Sequence, residues 1–172
     1  WRQMDEGFSG EVDTAYGRFN TLAGSMKAGV KEGAFDFAAG ASYKYSEGKR
    51  KHNTAELENA FTRGGVELGE EEYLTFIYRR AQSRVEDPGA KGMPTPVRDS
   101  FETDMDSYAV RLDSEREWMS GYSLVYVTDG RIRWHKDHIQ DGNLNSPYGW
   151  SKTDWQTWGY RGLYDFKWEE AT

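Results

Sequence analysis

From Phe35 to Ser46 the chain alternates almost without interruption. Phe35, Phe37, Ala39, Ala41, Tyr43 and Tyr45 occupy one set of alternate positions, and Asp36, Ala38, Gly40, Ser42, Lys44 and Ser46 the other. Successive side chains of a strand point to opposite faces, so this pattern predicts an extended ribbon with one apolar surface and one small or charged surface. The segment exceeds the usual strand of roughly 5–6 residues and reaches the roughly 9–11 residues that a tilted strand needs to cross the hydrocarbon layer of a membrane. Its aromatic residues sit near both ends with alanines between them, where the two interfacial girdles of a transmembrane β-barrel lie.

Composition is compatible with that geometry. The chain has 172 residues, the size of one domain. No run approaches the roughly 18 consecutive apolar residues of a spanning helix, which excludes a helical membrane protein. The mean hydropathy of −0.90 does not exclude a barrel, because only alternate residues of its strands face lipid. Seven Trp, eleven Tyr and 19 Gly fit long strands anchored at interfaces by rings with an apolar body and a polar tip. Net charge is −7 with no basic stripe, which argues against a nucleic-acid partner. Cysteine is absent, so disulfides, thiolate metal sites and thiol nucleophiles are absent too. The start at Trp1, without a basic or apolar leader, predicts either a processed signal or an internal piece of a longer chain.

Eight strands are predicted, over about 7–17, 21–31, 34–46, 59–69, 72–85, 106–117, 120–137 and 154–168. In the first, Phe8, Val12 and Tyr16 oppose Ser9, Glu11 and Asp13. In the seventh, Tyr122, Leu124, Tyr126, Ile132 and Trp134 are read as the apolar side, with Asp129, Arg131, Arg133 and His135 on the other. Short turns follow strands two, four and six, and long polar links follow strands three, five and seven. Such alternation is expected of an up-and-down barrel with one trimmed rim and one elaborated rim. The fold expected is therefore all-β, an antiparallel up-and-down transmembrane β-barrel segment spanning residues 1–172. Alternation alone is symmetric under exchange of inside and outside. Strand length and girdled aromatics favour lipid on the apolar side, which leaves Asp36, Lys44, Arg131, Arg133 and Arg161 facing a lumen and requiring partners there.

In this order the chain resembles the opening part of the barrel of a TonB-dependent outer-membrane receptor. The stretches that carry the resemblance are Gly10-Glu11-Val12-Asp13-Thr14-Ala15-Tyr16-Gly17, Phe35 to Ser46 with the following loop Lys51-His52-Asn53-Thr54, and the strand closed by Glu86-Asp87-Pro88-Gly89. The resemblance implies location in the outer membrane of a Gram-negative bacterium and uptake of a scarce ligand such as a ferric siderophore or cobalamin. It implies as partners the lipid bilayer, the remainder of the barrel, a plug domain and a TonB-type energy-coupling protein. It also implies about 22 strands, so eight would form roughly the first third of the wall. The alternative expectation is a self-closed eight-stranded barrel with a structural or adhesive role. Pairing of residues 8–16 with 156–167 would mark closure.

No catalytic constellation is present: serine-hydrolase, P-loop and dinucleotide motifs are missing, and Glu70, Glu71 and Glu72 fall in a predicted turn without a pocket. No cofactor and no metal site are expected. His135 and His138 with Asp137 and Asp141 lack a third ligand in fixed geometry. Glu102, Asp104 and Asp106 are read as an acidic loop patch without calcium-loop spacing. Ligand contact is expected from loop residues His52, His138, Tyr148 and Trp150, since aromatic and imidazole groups on exposed loops supply contact area at low entropic cost.

Overall fold

A computed structural model describes residues 6–49, 53–87, 99–135 and 150–167, the side chains of Asp87, Asp99 and Trp150 excepted. The described residues form eight strands and no helix: β1 Gly7–Gly17, β2 Thr21–Glu32, β3 Phe35–Ser46, β4 Ala55–Glu67, β5 Glu72–Asp87, β6 Asp99–Arg116, β7 Met119–His135 and β8 Trp150–Phe166. They make one antiparallel sheet in sequence order, each strand bonded to the next. Among the described residues β1 and β8 do not pair, so the sheet is open and the closure expected of a self-contained eight-stranded barrel is not present.

One rim of the sheet is trimmed. Connections there are Gly33–Ala34, Leu68–Glu71 and Glu117–Trp118, and backbone bonds beyond the strand ends tighten them, as from Leu68 N–H to Glu72 O at 2.8 Å. Gly33 supplies the left-handed conformation of the first, with φ of 57°. The opposite rim carries the connections over 18–20, 47–54, 88–98 and 136–149, each longer than the one before. The shortest is a two-residue hairpin turn in which Phe19 and Asn20 both take positive φ, closed by Thr21 N–H to Arg18 O at 3.2 Å.

The alternation read in the sequence forms these strands, and the register turns it into faces. Directly opposed residues share a face, so the chain of partners Phe8, Val30, Phe37, Gly64, Phe76, Val110, Val125 and Tyr160 defines a first face running across all eight strands. The second face carries Asp36, Arg63, Thr75 and Arg111.

Three expectations change. Strands β4, β6 and β8 begin at Ala55, Asp99 and Trp150, four, seven and four residues before the predicted starts at 59, 106 and 154. The early residues carry Glu56, Glu58, Glu102 and Asp104 where apolar side chains mark the strands elsewhere, so the ladder continues past the point where alternation fades. The acidic trio is accordingly on a strand, not in a loop. The faces of β7 are also reversed: Val125 and Val127 lie with Phe37, while Tyr122, Leu124, Tyr126, Ile132 and Trp134 lie with Asp36. Arg131 and Arg133 are therefore on the first face and, contrary to the expectation from sequence, do not share a face with Asp36, Lys44 and Arg161.

Among the described residues no large side chain is fully buried, and Phe37 stays 51% exposed. The buried side chains are instead polar, with Asp36, Arg63 and Thr75 the most enclosed. The sheet has no sealed hydrophobic core.

Candidate functional site

The first face is divided by charge. On β1 it presents only apolar, Gly or Thr residues from Phe8 to Tyr16, on β2 only such residues from Leu22 to Val30, and on β3 from Phe35 to Tyr45. The stretch of apolar, Gly, Ser or Thr residues narrows to Ala60–Val66 on β4, Leu74–Tyr78 on β5 and Tyr108–Ser114 on β6, then runs over Met119–Val127 on β7 and Trp158–Phe166 on β8. No charged side chain of the first face lies inside this belt, whereas the second face of the same strands carries Glu11, Lys27, Asp36, Arg63 and Arg161. Phe8 and Trp158 are nearly four-fifths exposed. Soluble monomers rarely leave so extended an apolar surface uncovered.

The belt crosses the ladder obliquely. Its upper edge is at Tyr16 on β1, eight positions above Phe8, and at Trp158 on β8, two positions above Tyr160 in the same ladder row, a drop of six positions over seven strand steps. With a rise of about 3.3 Å per residue and a spacing of about 4.8 Å between strands, that drop corresponds to strands inclined by roughly 30° to the belt. Transmembrane barrel strands tilt by about 35–45°.

Three tyrosines near the upper edge, Tyr16, Tyr43 and Tyr78, point their hydroxyls away from the belt, while Tyr160 and Tyr164 inside it meet the Ser123 hydroxyl at 3.1 and 2.6 Å. Tyr43 donates to Glu56 at 2.8 Å, Tyr78 to Asp106 at 2.7 Å and Tyr16 to Asn20 at 3.1 Å. The hydroxyls of these three thus meet polar groups above the belt, the arrangement an interface between hydrocarbon and water favours.

Above the belt, the first face of β4 to β8 becomes a lattice of opposite charges. Gln82 donates to Asp104 at 2.7 Å, Arg133 approaches Glu102 at 3.4 Å and Asp104 at 3.6 Å, and Arg131 reaches Asp154 at 2.6 Å. His135 stands 3.8 Å from Glu102. The Lys152 ammonium, hydrogen-bonded to Asp154, and then the Arg131 guanidinium hold the Asp154 carboxyl below the usual aspartate range. These pairs are exposed, so each adds little stability. At the trimmed rim Arg116 is paired with both Glu71 and Glu72, which accounts for two of the three turn carboxylates by ordinary ion pairing.

The second face holds its charges differently. Arg63 donates to Asp36 at 2.6 Å and to the Tyr73 hydroxyl at 3.0 Å, and both ionic side chains are almost fully enclosed. Gly65 leaves the space for this cluster, because a methyl there would overlap the Tyr73 hydroxyl and the Asp36 carboxylate. Lys31 pairs with Glu67 at 2.9 Å, and Arg111 binds Asp113 while lying 4.1 Å from the Tyr122 ring centre. Lys44 is exposed on this face.

Of the residues expected to contact a ligand, His52, His138 and Tyr148 lie outside the described residues, and Trp150 opens β8 with its side chain not described. Of the histidine and aspartate cluster, only His135 is described. Among the described residues no group of three or more metal-ligating side chains comes together. Exposed rings near the long-loop rim lie on the strands themselves. Their signal was available: Trp134 and Trp155 continue an alternation with Ile132 and Thr153, but at a height where the opposite face had ceased to be apolar. No protein-family model, curated protein or solved structure matches the chain.

Proposed function

We propose that this chain is a wall segment of a TonB-dependent receptor in the outer membrane of a Gram-negative bacterium, with the first face toward lipid and the second toward the lumen. The observation that carries the membrane part of this reading is the charge-free belt, which crosses eight strands obliquely with tyrosine hydroxyls aimed out of its upper edge. A soluble sheet has no reason to keep charge out of an exposed oblique band while placing ion pairs directly above it. The trimmed rim would lie at the periplasmic side and the elaborated rim outside the cell. The receptor part rests on the sequence resemblance in the strands at 10–17 and 35–46 and in the Glu86–Gly89 segment.

In this reading the bare edges of β1 and β8 join further strands of the barrel. A plug would fill the lumen, where Arg63, Asp36 and their neighbours are already neutralised within the wall. A TonB-type protein would act on that plug to release a metal chelate, cobalamin or similar ligand gathered at the outer rim. The chain contributes wall and no catalysis.

The test is fluorescence quenching in vesicles containing brominated lipids. Emission from Trp158, identified as the signal lost in Trp158→Phe, is expected to be quenched, and that from Trp155 to be spared. Stable monodisperse protein in detergent-free buffer with Trp158 beyond the reach of lipid would overturn the membrane reading.

A further inference from the structure

Near the long-loop rim the two faces of β5 to β8 exchange character. The first face bears the ion-pair lattice, while three consecutive rows of the second face, from Ala81, Met105, Gly130 and Trp155 up to Val85, Phe101, Trp134 and Ser151, hold no charged residue. This surface stands above the belt, so membrane lipid does not account for its exposed rings. Val85, Phe101 and Trp134 are immediate neighbours across three strands and are 42%, 43% and 41% exposed.

Trp155 supplies a second and different feature. It pairs directly with Gly130, and a methyl at Gly130 would fall within the indole, so the ring lies flat over that backbone with one face turned away from the sheet. Beside this platform, the intervening row presents hydroxyls from Ser83, Thr103 and Thr153 around Ile132. A flat indole, hydroxyl groups and an apolar shelf, with no guanidinium, ammonium or carboxylate among them, are complementary to a molecule of matching chemistry.

We propose that this surface binds an uncharged ligand with a flat apolar face and hydrogen-bonding edges, glycoside-like in chemistry rather than carboxylate- or phosphate-bearing. The inference rests on the reading that the second face lines the lumen, and it narrows the receptor's ligand to an uncharged one. The flat face lies on Trp155, the edges meet Thr103 and Thr153, and Phe101 with Trp134 closes the upper side. Recognition of an anion would need a cation beside Trp155, and the nearest described cation of this face, Arg79, lies one row lower and three strands away on β5.

The probe is 4-nitrophenyl β-glucoside, whose ring quenches indole emission, titrated into the full chain in phospholipid vesicles, with 4-nitrophenyl phosphate as its anionic counterpart. The glucoside is expected to quench saturably and independently of salt, with the phosphate at least about tenfold weaker. Phe101→Ser and Trp134→Ser are each expected to weaken binding about tenfold, the order typical of removing an aromatic anchor, while Trp158→Phe leaves it unchanged. Equal affinity for the two probes, no saturable quenching, or insensitivity to both serine variants would overturn the proposal. Brominated lipid separates the two failures. Quenching of Trp158 without glucoside binding sinks this inference alone, and quenching of Trp155 by lipid sinks the assignment of faces beneath it.

Discussion

β1–β3 and β5–β8 carry the same period-two pattern and use it for different ends. On β1–β3 the first face stays apolar from near one rim to the other, and the second face holds small residues with a few charges. On β5–β8 the first face is apolar only toward the trimmed rim, and beyond Tyr78, Tyr108, Val127 and Trp158 it turns to ion pairs while rings collect behind it. Alternation states that two faces differ; it does not state which environment each meets. That depends on height relative to the belt, and the belt crosses the strands at a slant.

Four measurements break or sharpen this comparison. The largest effect is expected at the enclosed pair of the second face. Arg63→Met leaves the Asp36 carboxylate buried without a partner and should lower unfolding stability by about 3–5 kcal/mol in denaturant titrations from vesicles. The exposed lattice gives the contrast: Arg131→Met should cost less than about 1 kcal/mol in the same assay. A large loss at Arg131 would show that the lattice is shielded from water.

Next in size is a pair of changes within one ladder row. Ala41, Ala60 and Arg80 are successive partners, yet Ala41 lies in the middle of the belt and Arg80 above its edge. With the first face toward lipid as proposed, Ala41→Arg should destabilise the protein in vesicles by about 2–4 kcal/mol, the cost of a cation near the bilayer midplane. Arg80→Leu should change stability by less than about 1 kcal/mol, since it removes only a half-exposed ion pair with Asp106. Equal costs would mean that the belt does not slant.

A smaller effect is expected at Gly65. Gly65→Ala must displace the Tyr73 hydroxyl or the Asp36 carboxylate, and about 1–3 kcal/mol is typical of such overpacking. Adding Tyr73→Phe should recover part of the loss. No recovery would place the clash elsewhere.

The smallest effect is a titration. Asp154 has a lowered folded-state pKa, so its ion pairs contribute fully above the unfolded aspartate value, and the contribution disappears as pH falls through the folded value. The Asp154 carboxyl resonance should titrate below the ordinary aspartate midpoint, and Lys152→Ala should move that midpoint up. An unchanged midpoint would remove Lys152 as the principal cause.

The misreading of β7 shows how much of this is legible in a sequence. Its two alternate sets are both apolar in part, Val125 and Val127 in one and Tyr122, Leu124, Tyr126, Ile132 and Trp134 in the other. The larger set looks like the apolar face, but the pairing of Val125 with Val110 puts the smaller set on the first face with Phe37. The early starts of β4 and β6 have a related cause: charges at alternate positions resemble a loop unless the neighbouring strand is known to continue opposite them. The ligand-facing expectation rested on loops, while the described wall places exposed rings on β5–β7, where no single strand announces them.

The sequence by itself determined the local events: eight extended segments, the alternate rim lengths, and two unlike faces on each strand, because backbone pleating and turn chemistry act within a few residues. The tertiary structure decided register. Only pairing across strands aligned Phe8 with Tyr160, carried the belt down by six positions and brought Arg63 against Asp36. Those relations depend on residues distant in sequence meeting at a fixed offset, and a shift of one residue would send each side chain to the other environment.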